Sequence, residues 1–144
     1  MTTEKVVIPE GTILTSATFE ANKEYIIQGA VQLQTDINIP ECVLNFEEQE
    51  GSFVLADGVS KVKLVATKTA IIAGEDQQIF PKCTYNSSGT ITNGIDFTGS
   101  HFNIDFARPE WFGAKQLTRA YYNRDLICFN NPIKLDSNHC VVKD

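Results

Sequence analysis

Little in this chain favours helices, metals or membranes. Its 144 residues include one Met and 8 Leu, against 14 Ile, 10 Val and 13 Thr. That excess of β-branched side chains favours short pleated strands over helices. No apolar run approaches the ~20 residues of a membrane span, so no membrane insertion is predicted. The opening Met1-Thr2-Thr3-Glu4-Lys5 lacks the basic start and apolar stretch of a secretory signal, which predicts a soluble chain made in the cytosol. Cys42, Cys83, Cys128 and Cys140 form no Cys-x-x-Cys pair, and neither His101 nor His139 stands at zinc-finger spacing. Cys42, Cys83 and Cys140 lie in strand-like stretches and read as small buried thiols. The sequence holds no phosphate loop, no Gly-x-Ser-x-Gly elbow and no His-Glu-x-x-His helix, so neither a metal nor a cofactor is expected.

Positive charge is scarce where it would matter for phosphate binding. Residues 1–60 carry ten acids and only Lys5 and Lys23, while the rest of the chain carries eight acids and ten bases. Nucleic-acid binding needs Lys and Arg to neutralise phosphates, and an acidic first half argues against it. A solvated acidic face accounts for the asymmetry; contact with a neighbouring chain is the alternative.

What is present is a succession of strand-sized segments. Lys5–Ile8, Glu24–Ile27, Val31–Leu33, Ile37–Ile39, Val43–Phe46, Ser52–Leu55, Val62–Val65 and Ala70–Ile72 come first. Ile79–Phe80, Thr90–Thr92, Ile95–Phe97 and Asn103–Phe106 follow, most of them bounded by Gly, Asn, Asp or Pro. Strands so short and frequent fit a sandwich or a solenoid. Ile8-Pro9-Glu10 followed by Leu14 is echoed in Ile39-Pro40-Glu41 followed by Leu44. Proline donates no ladder hydrogen bond and suits corners, and recurring corners favour the solenoid. Ile26, Val31, Leu33, Ile39, Leu44 and Phe46 are predicted to face inward.

The most telling segment is Pro109-Glu110-Trp111-Phe112-Gly113-Ala114, which sets the only Trp beside a Phe and a flexible step. Two large rings at a strand exit close a core, and glycine lets the chain turn away. Together with Asn22-Lys23-Glu24-Tyr25-Ile26-Ile27, Val31-Gln32-Leu33, Ile37 through Phe46, Gly51-Ser52-Phe53 and Thr69 through Ala73, this junction resembles pectate-lyase-like β-helix proteins. Such proteins are common among tail spikes and fibres of phages that infect Bacteroidales. The resemblance covers roughly residues 5–114. It departs after Ala114, where the family's Gly-Asp-Gly and paired aspartates are replaced by Lys115-Gln116-Leu117.

The resemblance implies an all-β chain folded as a right-handed parallel β-helix. Residues 1–107 form rungs, 108–126 an aromatic and basic junction with a short helix over Gln116–Arg124, and 127–144 the start of a further rung. It implies a structural module of a phage virion, the N-terminal attachment or capping part of a tail or collar spike or fibre, assembled in the bacterial cytoplasm. Other virion proteins are the expected partners, with a homotrimer as the assembly and host surface polysaccharide as a further ligand. Two alternatives stand beside it. One is a fragment of a polysaccharide-degrading spike whose catalytic residues lie beyond residue 144; the other is a bacterial surface carbohydrate-binding β-helix.

No catalytic residue is predicted within the chain. β-helix hydrolases and lyases gather carboxylates on one face, whereas Asp96, Asp105 and Glu110 are scattered. The expected site is structural: Arg108, Glu110, Trp111, Phe112, Gly113, Tyr121 and Tyr122 form a junction or interface. Bulky aromatic and Arg side chains are favoured in interfaces, and sugar stacking on the same rings is the other reading.

Overall fold

The computed structural model describes residues 3–80, 84–85, 88, 91–97, 100, 102–104 and 109–112. In chain order they form β1 (Glu4–Ile8), β2 (Ile13–Leu14), a 3₁₀ turn (Ser16–Thr18), β3 (Lys23–Ile27), β4 (Ala30–Leu33) and β5 (Ile37–Ile39). There follow β6 (Val43–Asn45), β7 (Ser52–Leu55), β8 (Lys61–Ala66), β9 (Ala70–Ile72), β10 (Thr84–Tyr85), β11 (Ile91–Asp96) and a second 3₁₀ turn (Pro109–Phe112). The described residues are all-β, with no helix beyond those two turns.

Consecutive strands do not pair with each other. They distribute among three sheets, ordered β1-β3-β6-β9, β2-β4-β7 and β10-β11-β8-β5. Every pairing is parallel except that of β10 with β11. A parallel neighbour needs a connection that crosses away and returns, and here the strands of the other sheets make that crossing.

Register fixes which side chains meet. Ile8 lies opposite Ile27, Leu14 opposite Leu33, and Leu33 opposite Leu55, so like residues stack in columns. Within each strand the sides alternate, as the pleat requires. In β8, Val62, Leu64 and Ala66 are buried while Lys61 and Lys63 are exposed. Val31, Leu33, Ile39, Leu44 and Phe46 lie in the core as the pattern predicts. Ile26 differs: it is buried, but it alternates with the core residues Tyr25 and Ile27 and so takes the opposite face, in register with the exposed Val7.

The Ile-Pro-Glu echo also proves to be something other than a repeat. Pro9 follows β1 and leads to the second sheet, whereas Pro40 follows β5 and leads back to the first. The true partner of Ile8 is Ile27, nineteen positions on. Two corners of different kinds share a motif because both need a residue that interrupts a ladder.

Other boundaries shift. The residues expected as Thr90–Thr92 and Ile95–Phe97 belong mostly to one strand, β11, with Thr90 outside the described residues. Ile79 and Phe80 form no strand of their own, although the Phe53 N–H donates to the Ile79 carbonyl at 2.8 Å. Asn103 and Ile104 are not in a strand, and residues 105 and 106 lie outside the described set. So do the expected helix over Gln116–Arg124, the further rung expected over 127–144, and Cys83, Cys128 and Cys140.

One glycine is fixed by its neighbours. A Cβ on Gly51 would run into the Ile27 backbone carbonyl and side chain, so only glycine permits the close approach of the chain before β7 to β3. Asn45 prepares that approach. Its Oδ1 accepts the N–H groups of Glu47 and Glu48 at 3.1 and 3.2 Å, which turns the chain directly after β6.

Candidate functional site

Six buried phenylalanines and the tryptophan gather at the end of the stack defined by β7, β8 and β9. Phe80 is the hub. Its ring lies 5.8 Å from Phe46, 5.7 Å from Phe53, 5.1 Å from Phe97 and 6.4 Å from Phe102, and it stacks on Phe112 at 5.5 Å. Most of these pairs meet edge to face, the arrangement that ring quadrupoles favour.

The Pro109–Phe112 turn closes this cluster. Proline suits the first position of a helical turn, where its missing N–H leaves nothing unpaired. Trp111 and Phe112 are both buried. The Trp111 indole N–H donates to the Gly74 carbonyl at 2.8 Å. The Trp111 carbonyl accepts the N–H groups of Ile79 and Phe80, at 3.1 and 2.8 Å. Trp111 therefore meets its polar partners while burying a large apolar surface.

Of the junction residues expected from the sequence, Trp111 and Phe112 come together around Phe80. Glu110 contributes backbone to the turn. Arg108, Gly113, Tyr121 and Tyr122 lie outside the described residues, as does the Glu110 side chain. Gln77 was not foreseen. Its Nε2 donates to the carbonyls of Phe46 and Gly51 at 2.7 and 2.8 Å, and its Oε1 accepts the Gly74 N–H at 2.8 Å. A polar residue in a loop has no periodic signature, so nothing in the pattern marked it.

Apart from this cluster, a concavity of about 200 Å³ runs across successive strands at the corner between the third and first sheets. Asn22, Lys23, Glu41, Cys42, Lys68 and Asn103 are among its lining residues. The Asn22 N–H donates to the Glu41 carbonyl at 2.7 Å, and Lys68 stands two residues before Ala70, which pairs with Val43. Asn22 and Lys68 both adopt left-handed backbone, with φ of 66° and 61°, uncommon for a lysine. Lys23 pairs with Glu20 at 3.2 Å and Glu4 at 3.7 Å. The hydrogen bond that Lys23 donates to the Glu20 carboxylate holds its ammonium above the ordinary lysine pKa, with added attraction from Glu20 and Glu4. Cys42 is buried, and loss of solvent pushes its thiol up to about 11.

Asp96 lies in β11 opposite Lys63, while Asp105 and the Glu110 carboxylate lie outside the described residues. Among the described residues, no group of three or more His, Cys, Asp or Glu is placed to hold a metal. No helix there is long and apolar enough to cross a membrane.

The class defined by these observations is an all-β protein of parallel sheets, closed at one end by an aromatic cluster. No protein-family model matches the chain, and comparisons with curated proteins and with solved structures return no match.

Proposed function

We propose that the chain is a right-handed parallel β-helix that serves as a structural module of a phage virion, the N-terminal attachment or capping part of a tail or collar spike or fibre. The observation that carries this reading is the recurrent parallel pairing within three sheets, which the strands from β3 to β9 visit in turn. Stacked rungs of this kind give a stiff rod whose backbone hydrogen bonds run along its length. The Glu-Trp-Phe-Gly-Ala junction adds the likeness to phage spikes. The work is mechanical, with no catalytic step in this chain, and the assembly is a homotrimer among other virion proteins.

Immunogold labelling and mass spectrometry of purified particles test the location. Label at the tail or collar is expected, and label confined to the host envelope would sink the virion reading. A left-handed coil or an antiparallel sandwich in an experimental structure would defeat the fold.

The corner groove favours a second reading, a carbohydrate-binding β-helix of a bacterial surface, because its amide, ammonium and carboxylate groups are spread along several rungs. Saturable glycan binding that Lys68→Ala weakens would favour it. Release of reducing ends from capsular or pectic polysaccharide would point to a depolymerising spike instead.

A further inference from the structure

The two ends of the sheets are built differently. At one end, β1 and β2 are the outermost strands of their sheets. At the other end, four irregular contacts occupy the edges. First, β10 runs antiparallel on the side of β11 away from β8, in the place another parallel strand would take. Second, where β11 stops, the buried Ser100 hydroxyl continues along β8: it donates to the Leu64 carbonyl at 2.7 Å and accepts the Ala66 N–H at 3.0 Å. Third, the Ile79 carbonyl takes the Phe53 N–H of β7, and the Trp111 carbonyl takes the N–H groups of Ile79 and Phe80. Fourth, the Asn103 N–H donates to the Thr69 carbonyl just before β9, at 2.8 Å.

An open edge presents unpaired N–H and C=O groups that template further strands, and natural sheets block it with irregular or antiparallel pieces. We infer that the far edges form a built end cap, closed to the addition of another parallel strand, and that Gln77 is the residue that latches it. The latch follows from connectivity. Through one amide, Gln77 ties the Phe46 and Gly51 carbonyls, on the turn into β7, to the Gly74 N–H. Gly74 in turn accepts the Trp111 indole, and Trp111 accepts Ile79 and Phe80. Losing the Gln77 amide takes this partner from the Gly51 carbonyl and the Gly74 N–H, leaves the Phe46 carbonyl with the Gly51 N–H alone, and frees the loop on which the Trp111 turn rests. This inference does not depend on the virion reading.

Trp111 is the only tryptophan, so its fluorescence reports the cap directly. The whole chain is compared with Gln77→Ala and Gln77→Glu, the latter setting a carboxylate against two carbonyls. Both variants are expected to shift Trp111 emission to the red and raise its quenching by acrylamide. Amide exchange at Ile79 and Phe80 should quicken on the order of tenfold while β3 to β5 hold. Light scattering at tens of micromolar, roughly where open edges find each other, should show association, with protection gained along β8. Unchanged Trp111 emission in both variants overturns the latch. A released Trp111 without association, or association that protects β1 instead, overturns the cap. If Gln77→Ala also loses β3 to β5, Trp111→Phe carries the test, since it deletes one indole N–H and leaves the ladders intact. Unchanged exchange at Ile79 and Phe80 in that variant overturns the proposal.

Discussion

The first strands of the parallel sheets and the last ones solve the same packing problem with different side chains. Glu4 pairs with Lys23 and Glu24 with Val43, each nineteen positions on. In this part the core is mostly aliphatic columns, Ile8 on Ile27 and Leu14 on Leu33. Further along, Val43 pairs with Ala70 after twenty-seven positions and Lys61 with Gly94 after thirty-three. There the core turns to rings: Phe46, Phe53, Phe80, Phe97, Phe102, Trp111 and Phe112. Strands with parallel neighbours on both sides are filled by repeating a branched aliphatic residue in register. At the other end of the described sheets, large rings brought in from several segments fill the space. The corners absorb the added length, while strands stay between two and six residues.

The comparison is sharpest in the cost of deleting one side chain from each part. Phe80→Ala removes a ring that touches five others, and about 4–5 kcal/mol of stability should go with it. Leu33→Ala, between Leu14 and Leu55, should cost about 2–4 kcal/mol. Chemical denaturation measures both. Equal losses would mean that the aromatic end is no more cooperative than the aliphatic columns. Trp111→Ala comes next, at about 3–4 kcal/mol, with faster exchange at Ile79 and Phe80. A variant that melts like the parent yet loses a sugar or a virion partner would make Trp111 a recognition residue rather than a plug.

How far these regions could be read in advance follows from the same physics. Strand positions were legible because Ile and Val runs are bounded by Gly, Pro and Asn, each a local signal. Trp111 and Phe112 were legible as rings that seek burial. Register was not, because parallel pairing joins residues from nineteen to thirty-three positions apart and that separation varies. That is why Pro9 and Pro40 looked like one repeat and occupy different corners. Phe80 read as half of a two-residue strand, since its role depends on rings from Phe46 to Phe112 that no local window contains. Gln77 left no trace, because its value lies in three backbone groups supplied by the fold.

A smaller effect tests whether the regular part tolerates its own close approach. Gly51→Ala forces a methyl against the Ile27 carbonyl and side chain, at the boundary between the two regions. Overpacking of this kind typically costs about 1–3 kcal/mol. Thermal melting should show the loss, and a double variant with Ile27→Val should recover part of it by making room. If Gly51→Ala is neutral, the chain before β7 is free to shift, and the regular packing ends earlier than β7.

The smallest expected effect belongs to the corner groove, which spans both regions and holds two groups, Cys42 and Lys23, whose pKa is raised. Burial raises the Cys42 thiol from 9.0 to about 11, so between those values the folded chain keeps a proton that the unfolded chain has lost. Its stabilisation is complete below pH 9.0 and fades as pH rises toward 11, an effect of about 1–2 kcal/mol. Lys23 acts in the same direction. The Glu20 hydrogen bond raises its pKa above 10.5, so its pairing is present at neutral pH and lost as pH climbs through the folded value. Melting temperature followed from pH 8 to 11 should fall, and Cys42→Ala should flatten the part of that fall that begins near 9. Peptide-resolved alkylation supplies the independent check: Cys42 should react slowly at pH 8 in the folded chain and quickly in urea. Equal rates in both would mean that the thiol is solvated and that burial does not govern this corner.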